Sequence, residues 1–292
     1  MAEIKKADLG WIALSMGMGF AAFVSRGIRW NYLLETMGYR AKKSNAIAAV
    51  TGGYLANLGI PRIGEIARCT FLNQKEKIPV DKLFGTILLE RTIDSLMLGI
   101  CLGLTFIFQF NQIGDFFAEI FNLRKADEAE PSFTLYYVLI TFVLVGLILF
   151  LARKPILRLP FFQKIKGFLL GLKEGFLSAF KMKRKGAFIF HTLLIWGLYY
   201  LMTYVCFFAL DQTKHLNPAD GLFVLVVGGM GMVVPSQGGI GSYHLAVKIG
   251  LMGLGYSAAT GLLLATIIHA GQTLMTLFSG GIALLYLYLK KD

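Results

Sequence analysis

Long apolar runs alternate with short polar intervals along the 292-residue chain. Residues 9–34, 83–110, 133–152, 186–210 and 257–289 each approach the ~20 consecutive apolar residues that a helix needs to cross a bilayer. Two further apolar stretches, 44–72 and 221–254, are interrupted in the middle by proline and glycine. None of these runs shows the period-two alternation and short turns of an outer-membrane barrel. The pattern predicts an all-α integral membrane protein built as a polytopic helical bundle, with residues 1–292 forming one transmembrane domain. Composition agrees: 56% of residues are hydrophobic and 16% charged, and the mean hydropathy is +0.63.

Charge orients the bundle. Twenty-nine Lys and Arg stand against 17 Asp and Glu, an excess that in a membrane chain marks cytoplasmic loops rather than nucleic-acid binding. Residues 153–185 carry ten basic side chains against the single acid Glu174, so that side is expected to be cytoplasmic. The loop 111–132 has Asp115, Glu119, Asp127, Glu128 and Glu130 against Arg124 and Lys125, and 211–220 is short and nearly neutral; both suit the outer side. Arg40, Lys42, Lys43, Lys75 and Lys77 then fall inside, as do Lys290 and Lys291, which puts the C-terminus in the cytoplasm.

This assignment closes only if each interrupted stretch enters and leaves on one side, the first from the cytoplasm and the second from outside. The expected result is two inverted re-entrant helix–loop–helix hairpins, at about 44–72 and 221–254. Gly52-Gly53 precede Pro61 in the first, and Gly228-Gly229 precede Pro235 in the second. Interrupted hydrophobic segments at corresponding places in two halves are a pointer to a transporter's substrate site. The alternative is chance recurrence in a chain with 33 glycines. Between spans, Phe161, Ile165, Phe168, Leu169, Leu172, Phe176 and Phe180 share one helical stripe. This predicts an amphipathic helix over 161–180, either lying at the cytoplasmic interface or packed on the bundle as a connector.

The first interruption reads NLGIPRIGEIAR, residues 57–68. Pro61 lacks an N–H and Gly64 permits unusual backbone angles, so the chain is expected to turn here and start a new helix near Ile63. Non-helical backbone survives at membrane depth only where protein or a water-filled cavity covers it, and the positive end of the second half-helix would attract an anion. Glu65 and Arg68 are three apart and able to pair, Glu65 pairing either so within its own helix or across to Arg91, leaving Arg62 for a substrate. In the next span Glu90, Arg91 and Asp94 lie on the order of 13–20 Å inside the helix. Each costs ~2.5–3.5 kcal/mol at a helix centre, so each should face inward and be paired. Arg91 with Asp94 is one expected pair, and Glu90 is left for Arg62 or Arg68. Arg26 and Arg29 bring the neighbourhood to +2, a sign suited to a phosphate-bearing headgroup; they read equally as interfacial snorkelling anchors. The whole constellation reads either as a substrate path or as an ion-pair lock between helices.

The second interruption, VPSQGGIGSYHLAVKIG, turns through Pro235, Gly238, Gly239 and Gly241 into a helix carrying His244. That histidine reads as a headgroup ligand or as a packed hydrogen-bonding residue, and His269 with Gln272 as glue between helices. Cys69, Cys101 and Cys206 have no CxxC spacing and read as packing residues. No HExxH, Gly-rich phosphate loop or GxSxG elbow occurs, and no metal or cofactor is expected.

R-x-x-R-W at Arg26/Arg29/Trp30, N-x-x-x-P-R-x-G-E-x-x-R from Asn57 to Arg68, E-R-x-x-D at Glu90/Arg91/Asp94, and P-x-x-G-G-I-G from Pro235 to Gly241 together resemble the flippase-like family. That is the family of the transmembrane region of bacterial lysylphosphatidylglycerol synthases, the multiple peptide resistance factors. The resemblance spans nearly the whole chain. It implies a polytopic protein of the bacterial cytoplasmic (inner) membrane that moves polar or aminoacylated phospholipids, or lipid-linked sugars, between leaflets. It also implies that Arg62, Glu65, Arg68, Glu90, Arg91 and Asp94 line the path. This chain departs from the family where His244 replaces a frequent acidic residue, and in an extra span that usually precedes the R-x-x-R-W helix. The soluble aminoacyl-transferase domain is expected to be missing, so lysyl transfer by this chain alone is not expected.

The leading expectation is thus a lipid translocator whose partners are phospholipids or a lipid-linked substrate. Its competitors are a membrane enzyme subunit using Glu65, Glu90 or Asp94 as acid/base groups, and a scaffold for a separately encoded synthase. A homo-oligomer is also compatible, with Gly99-x-x-x-Gly103 as a helix contact or as internal packing.

Overall fold

The computed structural model describes residues 7–109, 116, 182–234 and 236–289. Among these every regular element is helical: α1 (Leu9–Thr36), α2 (Lys43–Gly59), α3 (Gly64–Glu76), α4 (Val80–Phe108), α5 (Lys185–Val205), α6 (Pro218–Val233), α7 (Ser242–Gly253) and α8 (Ala258–Leu289), with 3-10 turns at Cys206–Ala209 and Gln237–Gly239. Four stretches are long and apolar enough to cross a membrane: Leu9–Thr36, Val80–Phe108, Lys185–Ala209 and Ala258–Leu289. They fall within a few residues of the runs 9–34, 83–110, 186–210 and 257–289. The expected span 133–152, the amphipathic helix 161–180 and Pro235 lie outside the described residues.

Both interrupted stretches are helical pairs. Pro61 sits in the turn between α2 and α3, where a helix interior would lose a backbone hydrogen bond. α2 and α3 then run antiparallel: the Glu76 carboxylate at the end of α3 accepts from the Lys42 backbone N–H (2.9 Å) and the Asn45 side chain (2.6 Å) at the start of α2. The second pair is antiparallel too, with Gly228 of α6 against Tyr243 and Val247 of α7, and Gly250 of α7 against Val227 and Phe223 of α6. A capping box starts α6, where the Asn217 side chain accepts from Ala219 and Asp220 N–H groups and Asp220 accepts from the Asn217 N–H. Such reciprocal bonding satisfies donors that a helix start leaves free.

The bases of the two pairs sit at opposite ends of the bundle. At one end, Tyr286 near the end of α8 bonds Ser44 and Asn45 at the start of α2, and Glu35 at the end of α1 meets Arg184 just before α5. At the other end, Gln109 after α4 donates to Asp220 at the start of α6 (2.6 Å), and the Asp8 N–H before α1 donates to the Ala209 carbonyl after α5. Each pair has its own apolar cluster. Trp30, Leu33, Leu34, Leu72 and Leu83 bind the first into α1 and α4; Phe207, Phe223, Val224, Leu251 and Leu264 bind the second into α8 and the end of α5. α1 packs along α5, α2 and α8 and so ties the two halves together.

Candidate functional site

Spacing on α1 brings Arg26, Arg29 and Trp30 onto one face, since positions three and four apart are neighbours on a helix. All three are buried, with Arg29 and Trp30 fully so. On α4, Glu90 and Asp94 are four apart and face them. Glu90 lies ten residues after Val80, about 15 Å along the helix axis, and is 2% exposed. Its Oε1 meets Arg26 Nε at 2.8 Å and Arg29 Nη2 at 3.3 Å, while its Oε2 accepts from Arg68 Nη2 of α3 at 2.6 Å. Asp94 closes the network by pairing with Arg26 and with Arg29, the latter at 2.9 Å. Three guanidiniums thus share two carboxylates, leaving one net positive charge between apolar helices.

Aromatic and hydroxyl groups complete this shell. The Arg68 guanidinium lies 4.7 Å from the centroid of the Trp30 ring, a cation–π contact that strengthens when water is excluded. Trp30 Nε1 donates to Thr86 at 2.8 Å, and Arg29 donates to Thr192 at 3.3 Å. Arg26 donates to the hydroxyls of Tyr54 and Tyr199, and Tyr54 stacks on Phe23 with ring centroids 4.2 Å apart.

Beside the network is a small, open recess lined by Val50, Gly53, Tyr54, Asn57, Gly64, Glu65, Arg68 and Arg91. α2 and α3 meet here through glycines. A Cβ on Gly64 would stand 2.2 Å from the Gly53 carbonyl oxygen, so only glycine allows the approach. Asn57 Oδ1 accepts the Gly64 N–H at 2.7 Å, satisfying one donor at the start of α3. Arg91 reaches across to Glu65 at 2.5 Å. The second oxygen of Glu65 and Nε of Arg68 are buried without a hydrogen-bond partner.

Two details differ from expectation, the partner of Arg91 and the role of Gly64, and two others fall to one of the alternatives the sequence left open. Arg91 pairs with Glu65 and not with Asp94, because Asp94 shares the Glu90 face and is claimed by α1. Glu65 does not pair with Arg68 within α3; Arg68 is held by Glu90. Arg26 and Arg29 are buried ion-pair partners, not snorkelling anchors. Gly64 matters for close approach: the left-handed backbone falls on Arg62, with φ 64°. Arg62 is exposed at the turn and donates to the Val233 carbonyl at 3.4 Å.

The second turn meets the first. Gln237 donates to the Gly59 carbonyl at 3.0 Å, and Gly238 lies against Leu58. Gly238, Gly239 and Gly241 all have positive φ, a conformation that suits glycine. His269 of α8 bonds the Gly238 carbonyl at 2.8 Å, so it ties a helix to a turn. His244 stands apart from the charged network, with its ring centroid 4.8 Å from that of His269 and Nδ1 buried without a partner. Sequence reasoning overlooked Tyr54, Tyr199, Gln237 and Thr192. Only Gln237 carried a signal, as a polar residue inside the glycine turn. Among the described residues no group of three or more His, Cys, Asp and Glu side chains is placed to hold a metal.

Apolar helices enclosing a fixed ionic core define a multi-pass helical membrane protein. The chain belongs to the family described as the lysylphosphatidylglycerol synthase TM region, which it matches over residues 1–280. It is also similar to the UPF0104 membrane protein MJ1595 of Methanocaldococcus jannaschii, at 27% identity over 88 residues, covering 29% of this chain and 26% of that protein. The match therefore spans about a quarter of the relative's length. No solved structure matches significantly.

Proposed function

We propose that this protein is a lipid translocator, moving a phospholipid with a polar or charged headgroup, or a lipid-linked substrate, between leaflets. The headgroup occupies the recess at the first helical pair while its acyl tails stay in the bilayer. The observation that carries this reading is the pair of unfilled valences there: one carboxylate oxygen of Glu65 and Nε of Arg68, with Arg91 also lining the recess. An acceptor and a donor on residues that line one recess suit a headgroup that presents both a phosphate and a hydroxyl or amine. Affiliation with a family named for a charged-headgroup lipid supports the same class.

In this reading the two helical pairs are re-entrant hairpins. α2, α3, α6 and α7 have 17, 13, 16 and 12 residues, about 18–25 Å at 1.5 Å per residue, short of the ~30 Å hydrocarbon core. The first hairpin enters from the cytoplasm and the second from outside, and Lys290 and Lys291 keep the C-terminus in the cytoplasm of a bacterial inner membrane. An acid/base role is weaker for Glu90, whose two oxygens are both engaged by guanidiniums. A scaffold for a separate synthase predicts stable co-purification with it and no lipid movement.

The test is reconstitution. Proteoliposomes carrying labelled anionic, aminoacylated and lipid-linked-sugar substrates should lose outer-plus-inner label to dithionite faster than empty vesicles for at least one class. Bleaching that stops at the outer-leaflet fraction for every class would overturn the proposal.

A further inference from the structure

The contacts between the two turns have a reciprocal form. The last carbonyls of a helix lack intrahelical partners, and each helical pair supplies a side chain that satisfies such a carbonyl on the other. Gln237, from the second turn, donates to the carbonyl of Gly59, the last residue of α2. Arg62, from the first turn, donates to the carbonyl of Val233, the last residue of α6. Arg62 also places a cation at the negative end of the α6 dipole. The turns are otherwise thin. Gly238 lies against Leu58, with an added Cβ 3.2 Å from Leu58 Cδ2 and 3.8 Å from Leu58 Cα, and His269 holds the Gly238 carbonyl from behind.

We infer that this reciprocal capping is a latch closing the route between the two turns, and that the phosphate of a lipid headgroup opens it by taking Arg62 from the Val233 carbonyl. The inference rests on the translocation reading and adds the event that starts it. Separating the turns leaves two helix-end carbonyls without donors at membrane depth, where such groups are costly, so the closed arrangement holds when no headgroup is present. A phosphate is a charged acceptor and binds a guanidinium more strongly than a neutral carbonyl does, often with two parallel bonds. The Arg62–Val233 bond, at 3.4 Å, is the longer of the two caps. Arg62 is exposed and makes no ion pair among the described residues, so it is the arginine at this site that is free to change partner. The other guanidiniums are held in the buried network or by Glu65. A headgroup hydroxyl or amine would then cover the exposed carbonyl.

Leu58→Cys/Gly238→Cys tests the latch, since these positions fall within the separation that a disulfide bridges. The full chain carrying this pair is placed in nanodiscs of the phosphate-free lipid digalactosyldiacylglycerol, in the same discs with phosphatidylglycerol added, and in the first discs with inorganic phosphate. Mild oxidation is followed by mass spectrometry. The latch predicts rapid cross-linking in the phosphate-free discs, several-fold slower cross-linking with phosphatidylglycerol, and little change with inorganic phosphate. Adding Arg62→Gln should abolish the slowing by phosphatidylglycerol. Absence of a cross-link in folded protein, or one rate in all discs, overturns the latch. Equal slowing by inorganic phosphate overturns the assignment to a lipid headgroup. These outcomes do not depend on transport. In a back-extraction assay with fatty-acid-free albumin, which leaves disulfides intact, the cross-linked protein should stop moving labelled lipid and resume on reduction. Continued transport with the cross-link intact overturns the latch while leaving the translocator reading standing, whereas a parent protein that moves no lipid overturns that reading alone.

Discussion

Glu90→Gln removes the charge on which three arginines converge, and its cost can be worked from the contacts. In the parent, Glu90 and Asp94 answer Arg26, Arg29 and Arg68, a local sum of +1. In the variant Asp94 alone answers the same three cations, a sum of +2. The glutamine amide also turns an N–H₂ toward a guanidinium at one of the two former oxygen positions. Neutralising one member of a buried ion pair costs about 3–5 kcal/mol, and retention of Asp94 sets the expectation at the lower end, about 3 kcal/mol. At roughly 2–4 °C per kcal/mol for a larger domain, the thermal transition in detergent should fall by roughly 6–12 °C, read by intrinsic fluorescence with size-exclusion profiles. Arg68→Gln in the same chain returns the sum to +1. The double variant should therefore be more stable than the two single losses add up to, with a coupling of about 1–3 kcal/mol. A Glu90→Gln transition within roughly 2 °C of the parent, or strict additivity with Arg68→Gln, would refute the charge-sharing argument.

Gly64→Ala should abolish monodisperse folded protein on size exclusion, because its Cβ would meet the Gly53 carbonyl oxygen at 2.2 Å, a backbone atom that cannot rotate away. Asn57→Ala frees the Gly64 N–H; it should cost about 1–2 kcal/mol and speed hydrogen exchange in the first turn of α3 while leaving α6 and α7 unchanged. Trp30→Phe keeps a ring against Arg68 but removes the bond to Thr86, for an expected loss of about 1–2 kcal/mol in the thermal transition; Trp11→Phe, at a half-exposed surface position, should change it little.

The long spans were legible because lipid imposes a simple rule, twenty apolar residues in one run, and α1, α4, α5 and α8 obey it. The interruptions were legible because Pro61 and the glycines of the second turn cannot continue a helix. Which charges would meet was only partly legible. The need to pair buried charge left Arg62 or Arg68 as the partner of Glu90, but helical spacing gives neighbours on one helix and not the face that helix turns to others. Arg91 and Asp94 are three apart and could have paired. α1 instead packs over the Glu90 and Asp94 face, leaving Arg91 directed to Glu65. Tyr54 and Tyr199 carried no sequence signal, since a tyrosine in an apolar run is ordinarily packing. Their role appears only when α2 and α5 bring both hydroxyls to Arg26. Likewise, the turns were recognisable one at a time, while the exchange of caps between them depends on bases anchored at opposite ends of the bundle.

Arg91→Gln provides the most direct measurement of the central claim. Arg91 lines the recess and is 44% exposed in its side chain, outside the buried network, so the variant should fold and reconstitute as the parent does. Initial dithionite bleaching rates of the substrate that the parent moves should fall severalfold at equal protein per vesicle, with the thermal transition nearly unchanged. Parent-level lipid movement by a folded Arg91→Gln protein would contradict passage of the headgroup through the recess.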